Sequence, residues 1–162
     1  MSELEPLLSG LRLAVFDFDG VFTDNRVWVN ERGEESVRCC RADGFGLARL
    51  EEAGVEAVIL STEKVQIAMA RAKKLRVPCR HGLGNKLEAL HEEAERRGVK
   101  LAETAYVGND INDTGCLEAV GLPVVPADAW PEVAGLALWT LERRGGEGCV
   151  REFCDAVWAA KR

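Results

Sequence analysis

The sequence predicts an α/β fold, a parallel sheet with helices on both faces. Three observations carry this. Short apolar runs alternate with amphipathic stretches along the chain. The runs are rich in Val, Ile and Leu and are bounded by Gly, Pro or Asp, the pattern of strands buried on both faces. Helical patterns lie between most of the runs, the order of strand–helix–strand units with right-handed crossovers.

Strands are expected over residues 11–16, 57–60, 105–107, 122–125 and 136–138. Helices are expected over 46–52, 65–75, 86–97, 114–120 and 149–160. One segment breaks the rhythm: residues 27–39 carry strand formers on both sides of a polar turn at Gly33, which reads as a β-hairpin. Trp28 on an amphipathic hairpin that projects from an α/β core calls for a partner surface, so the hairpin is expected to build an oligomer interface. Trp130, Trp139 and Trp158 are expected to pack internally.

Length and composition bound the rest. The 162 residues are expected to form one domain over 1–162, large enough to bury roughly 70% of the unfolded surface. An apolar content of 47% excludes a disordered chain. A net charge of −6 argues against nucleic-acid and anionic-membrane partners, both of which need a basic surface. An acidic protein that handles an anionic substrate must concentrate positive charge locally, so a metal ion is expected. The first residues are acidic and lack the features of a signal peptide. No apolar run reaches the ~20 residues of a membrane span. The 6 cysteines contain no Cys-x-x-Cys pair, and Cys39 and Cys40 are expected on opposite faces of a strand. They read as reduced thiols of a cytoplasmic protein.

Four chemical elements fall at strand ends, where open α/β sheets bind ligands. Asp17-Phe18-Asp19-Gly20 follows the first strand and places two carboxylates where one attacks and the other handles a proton, with a metal between them and a phosphate. Ser61 follows the second strand. Its hydroxyl can donate to a phosphate oxygen, and a helix starting near Glu63 would add backbone N–H donors. Lys86 opens a helix and can neutralise a transferring phosphate. The loop from Gly108 through Asn109, Asp110 and Asn112 to Asp113 offers oxygens to complete a magnesium shell. Each element alone is common, but the ordered set is specific to magnesium-dependent phosphoryl transfer. His81 and His91 are isolated and carry no role.

This set resembles the four motifs of the haloacid dehalogenase superfamily, over about residues 10–160. It is most similar to the capless phosphatases of sugar-acid biosynthesis, acting on 3-deoxy-D-manno-octulosonate 8-phosphate or nonulosonate 9-phosphate. The related C-terminal module of acylneuraminate cytidylyltransferases shares the pattern. The residues that carry the likeness are the run from Asp17 to Asp24, the hairpin, Asp43-Gly44-Phe45-Gly46, Arg71 to Leu75, Asn85-Lys86-Leu87, Tyr106 to Asp110, and Arg144-Gly145-Gly146-Glu147-Gly148. The resemblance implies a Rossmann-like core without a cap domain. The stretch between Asp19 and Ser61 is used up by the hairpin and one helix, which leaves no room for a cap.

The resemblance also implies a mechanism. Asp17 forms an aspartyl phosphate, and Asp19 protonates the leaving oxygen and then takes a proton from water. Ser61 and Lys86 hold the phosphoryl oxygens. Mg²⁺ is bound by Asp17, by Asp19 through its backbone carbonyl, and by the 108–113 loop. The family implies homotetramers whose hairpins associate. Asn109 departs from the pattern, because many relatives carry Asp there. Either Asn109 ligates as a neutral oxygen or Asp110 takes over. Thr62 departs from the octulosonate enzymes, which carry Gly. Glu63 and Lys74, about three helical turns apart, are expected on one helix face. With Lys64 and Arg71 they would meet a polyhydroxylated, carboxylate-bearing sugar, and the family analogy favours a nine-carbon acid. Arg143 and Arg144 are further candidates for the sugar carboxylate. The alternatives are a non-catalytic oligomerisation module and a broad-specificity phosphatase.

Overall fold

The structure is a computed structural model and describes residues 3–162. In chain order the strands are β1 (Leu13–Phe16), β2 (Trp28–Val29), β3 (Glu35–Ser36), β4 (Glu56–Leu60), β5 (Cys79–Arg80), β6 (Thr104–Val107), β7 (Leu122–Val125) and β8 (Trp139–Thr140). The helices are α1 (Glu5–Gly10), α2 (Ala42–Glu52), α3 (Ile67–Leu75), α4 (Lys86–Arg97), α5 (Thr114–Ala119), α6 (Pro131–Ala134) and α7 (Cys149–Ala160). Six strands form one parallel sheet in the order β5-β4-β1-β6-β7-β8. The chain builds outward from β1 on one side, then returns to build outward on the other. The carboxyl ends of β1, β4 and β6 therefore meet at a topological switch point.

The alternation along β1 explains the two cores. Ala14 and Phe16 face a core with α1, α2, α3 and α7, while Leu13 and Val15 face one with α4 and α5. All four residues of β1 are buried. Phe16 meets Phe22 and Phe153 edge-on at 5.7 and 5.6 Å, which ties the residues after β1 to α7. The helix pair α2–α7 packs so closely at Gly46 that a Cβ there would lie 2.8 Å from Arg151 Cα. Between β1 and β4 lie only the β2–β3 hairpin and α2, and no cap domain is inserted. Among the described residues no helix is long and apolar enough to cross a membrane.

The hairpin pairs Trp28 with Ser36 and Val29 with Glu35, apart from the main sheet. It is shorter than the expected 27–39. Asn30 closes its turn by accepting from the N–H groups of Arg32 and Glu34. Cys39 lies outside the hairpin strands and bridges Thr23 instead, so the expected strand placement of Cys39 and Cys40 does not hold. All 6 cysteines are free. The helices over 86–97 and 149–160 match their expected limits. The last strand lies at Trp139–Thr140 rather than 136–138, because pairing with Val124 and Val125 sets its register. Trp130 is 53% exposed instead of packed, whereas Trp139 lies against Phe153 and Trp158 beneath Arg49 and Arg162.

Candidate active site

β1 ends at Phe16, and the Asp17 N–H still donates to the Val107 carbonyl at 2.9 Å. Asp17 is thus held at the edge of the sheet, while its side chain enters a cleft of about 130 Å³ that also touches Asp19, Thr62, Glu63, Asn109 and Asp110. Asp17 Oδ1 accepts from the Phe18 N–H at 2.7 Å and from Lys86 Nζ at 2.7 Å. Lys86 Nζ also reaches Asp113 Oδ1 at 2.8 Å. Asn85 caps α4 by accepting from the Glu88 N–H, which starts the helix where Lys86 can point inward.

Asp113 is the anchor beneath. Its Oδ1 also accepts from the Tyr106 hydroxyl at 2.6 Å, and its Oδ2 accepts from the backbone N–H groups of Asn109 and Asp110 at 2.9 and 3.3 Å. Gly108 leaves the space this needs, since a Cβ there would lie 2.6 Å from Asp113 Cγ. The role of Tyr106 carries no sequence signal, because its hydroxyl finds Asp113 only through the fold.

Burial dominates the electrostatics. It pushes the Asp17 carboxyl up to about 8, with Lys86 opposing the rise and Asp113 adding to it. Burial pulls Lys86 down, but Asp17 and Asp113 outweigh it and leave the ammonium more strongly protonated than usual. Asp19 is raised by burial first and by the charge of Glu63 next.

Asn109 completes the cleft. With its amide nitrogen inward, it donates to Asp17 Oδ2 at 3.1 Å and to the Asp19 carbonyl at 2.9 Å. With its oxygen inward, the same position faces those two acceptors without a proton between them. Magnesium with ~2.1 Å bonds in an octahedron sets neighbouring oxygens about 3.0 Å apart, so the oxygen-inward arrangement fits such a cation. Among the described residues no group of three or more His, Cys, Asp or Glu gathers as a metal site. The donors here are mixed: a carboxylate, a backbone carbonyl and an amide. Asp110 lines the same cleft but turns its Oδ1 to the Ile111 N–H at 2.7 Å.

No family model matches the chain. The 3-deoxy-D-manno-octulosonate 8-phosphate phosphatase KdsC of Salmonella typhi is 33% identical over 93% of the chain and 81% of its own length. The chain belongs to the haloacid dehalogenase phosphatases. It is accordingly a phosphoric monoester hydrolase of this superfamily. A hypothetical protein from Xanthomonas campestris superposes with a TM-score of 0.96 at 37% identity, over 99% of this chain and 88% of that one. A Moraxella catarrhalis octulosonate 8-phosphate phosphatase, solved with magnesium, phosphate and KDO, gives 0.94 at 26% identity over 99% and 93%. The N-acylneuraminate cytidylyltransferase A of Danio rerio is 30% identical over 94% of this chain but only 36% of its own length.

The fold brings together Asp17, Asp19, Lys86, Asn109 and Asp110. Ser61 lies buried at the end of β4, where its Oγ accepts from the Glu63 N–H at 3.2 Å. The helix expected near Glu63 begins at Ile67, with Gln66 as its cap. Glu63 and Lys74 therefore do not share a helix face. Glu63 lines the cleft, whereas Lys74 lines a groove of about 510 Å³ with α2 at the opposite, amino-terminal edge of the sheet. Lys64 is exposed beside Gly82. Arg71 donates to the Cys40 carbonyl at 3.2 Å, behind the hairpin. Sequence reasoning missed Asn25, whose left-handed backbone (φ 63) places it in the cleft beside Asp19.

Proposed function

We propose that this haloacid dehalogenase phosphatase hydrolyses a phosphomonoester of a 2-keto-3-deoxy sugar acid through an aspartyl phosphate on Asp17. The observation that supports this most is the buried Lys86 held between Asp17 and Asp113 at 2.7 and 2.8 Å. That arrangement aims one carboxylate into the cleft and keeps a cation beside it. Asp17 attacks phosphorus in line, and the bond to the sugar oxygen breaks. Asp19, raised by burial and by Glu63, holds a proton to give to that oxygen. It then takes a proton from the water that attacks the aspartyl phosphate, which releases inorganic phosphate and restores Asp17. Ser61 uses its Oγ lone pair for the Glu63 N–H and keeps its own proton for a phosphoryl oxygen. Lys86 offsets the negative charge of the transferring group.

Magnesium is the cation we assign, held by Asp17, the Asp19 carbonyl and Asn109, and when bound it shields the dianion. Asn109 is favoured over Asp110 as the loop donor because Asp110 is engaged at Ile111. Octulosonate 8-phosphate is the first candidate substrate, since the KdsC relatives are named for it. Nonulosonate 9-phosphate is the second, in view of the neuraminate cytidylyltransferase relative. The intact Asp17–Lys86–Asp113 set speaks against a purely structural module.

The test is an assay of purified protein with Mg²⁺ on p-nitrophenyl phosphate and on eight- and nine-carbon acid phosphates. Turnover of one acid phosphate far above the others is expected, and Asp17→Asn should lose at least about a thousandfold. Undiminished turnover in the variant would refute the mechanism. Equal rates on all esters would make the protein a broad-specificity phosphatase.

A further inference from the structure

We propose that Asn109 closes the metal site of the cation-free protein with its own amide, so that a divalent cation binds only by turning that amide over. The identity of the cation rests on the phosphatase reading above, but the geometry does not.

The place where a cation would sit is bounded by Asp17 Oδ2 and the Asp19 carbonyl, and the Asn109 side chain lies 3.1 and 2.9 Å from them. The Asp19 carbonyl accepts and cannot donate, and the Asp17 oxygen does the same whenever its carboxylate is ionised beside the Lys86 ammonium. An inward nitrogen satisfies both with one NH₂ group, whereas an inward oxygen leaves three acceptors facing one another. A half-turn of the amide about its bond to Cβ exchanges the two states without moving the backbone. The backbone is fixed, because the Asn109 N–H donates to Asp113 Oδ2 at 2.9 Å. The residue is buried, so bulk water is a poor alternative partner. Gly20 makes the approach possible in either orientation: at φ +84 it has no Cβ, and one built there would lie 2.5 Å from Asn109 Cγ, which a turn of the amide does not move.

An aspartate at this position has no nitrogen-inward state. Its carboxylate would face the Asp17 carboxylate and a carbonyl without any donor until a cation entered. The asparagine therefore exchanges cation affinity for stability of the cation-free fold. Its neutral oxygen also lowers the anionic ligand count, which weakens binding of hard cations.

The experiment compares wild type with Asn109→Asp, both as the full chain freed of metal by EDTA. Calorimetric titration with Mg²⁺ should give a dissociation constant at least about tenfold tighter in the variant. Chelation should lower the melting temperature of Asn109→Asp by several degrees and leave wild type within about one degree. A variant that folds only with Mg²⁺ supports the proposal in stronger form. As a check that needs no variant fold, ¹⁵N spectra of wild type should show the Asn109 side-chain amide signals move on Mg²⁺ addition, with assignment by their loss in Asn109→Ser. Dissociation constants within twofold of each other, or amide signals unmoved at saturating Mg²⁺, would overturn the proposal. None of these readouts needs turnover. A protein that passes them and hydrolyses no ester keeps this inference and loses the function proposed above.

Discussion

The floor of the cleft and the region behind the hairpin each bury an aspartate, and the two are treated very differently. Asp113, on the floor, receives Lys86, the Tyr106 hydroxyl and two backbone N–H groups. Asp43, in the first turn of α2, accepts only from the Arg151 N–H at 3.1 Å, and its Oδ2 has no partner. Burial raises Asp43 to about 6, with the Arg151 N–H and Arg71 opposing the rise. Arg71 lies nearby with its own Nε unpartnered. The floor is a closed network, satisfied within one chain. The hairpin side is open: Asp43 Oδ2 and Arg71 Nε are left without partners and Trp28 is 75% exposed. The difference separates chemistry from assembly. One chain satisfies the cleft floor by itself, whereas we infer that the exposed hairpin side meets a partner.

The largest expected effect lies on the floor. Lys86→Met leaves Asp17 and Asp113 buried without their cation and should cost about 3–5 kcal/mol of stability in urea denaturation. A loss below about 1 kcal/mol would mean that the floor is no tighter than the hairpin side, and the comparison would fail.

Asp43 gives an effect of opposite sign. Its carboxyl is raised in the fold, so the folded state binds the proton more tightly than the unfolded chain does. Stability is therefore lost as pH rises from about 4 to about 6. Asp43→Asn removes the uncompensated charge and should gain up to about 3 kcal/mol at pH 7.5, with the gain fading toward pH 4. Thermal unfolding across that range checks it, and a variant destabilised at pH 7.5 would show that Arg71 already balances the charge.

The smallest effect on the fold belongs to Trp28. Trp28→Ser should change the stability of one chain by less than about 0.5 kcal/mol, because the side chain packs on little in that chain. The same change should shift sedimentation toward the monomer if the hairpin is the oligomer interface we infer. Wild-type protein sedimenting as a monomer at micromolar concentration would remove the interface altogether.

Residues whose neighbours lie close in sequence were legible in advance. The limits of α4 follow from the Asn85 cap and from Gly98, which takes the left-handed conformation at φ 61. The strand ends at Asp17, Ser61 and Gly108 follow from apolar runs that stop at polar residues. Elements held by distant partners were misread. The first turn of α2 was missed because the Asp43–Arg151 bond and the Gly46–Arg151 contact hold it. β5 has only two residues, too few for a periodic signal, and is defined by pairing with Ile59 and Leu60. α3 begins later than its pattern suggests, since the chain first crosses the cleft after Ser61.

The sequence alone therefore determined the α/β alternation, the order of the motifs and the polar groups that stand at the strand ends. Period and spacing are local properties, and side-chain chemistry is written residue by residue. Only the tertiary structure decided that Lys86 serves two carboxylates at once, that Glu63 enters the cleft while Lys74 turns away, and that the Asn109 amide faces Asp17 and the Asp19 carbonyl. These depend on distances between segments far apart in the chain, which are set by packing and by the satisfaction of buried polar atoms.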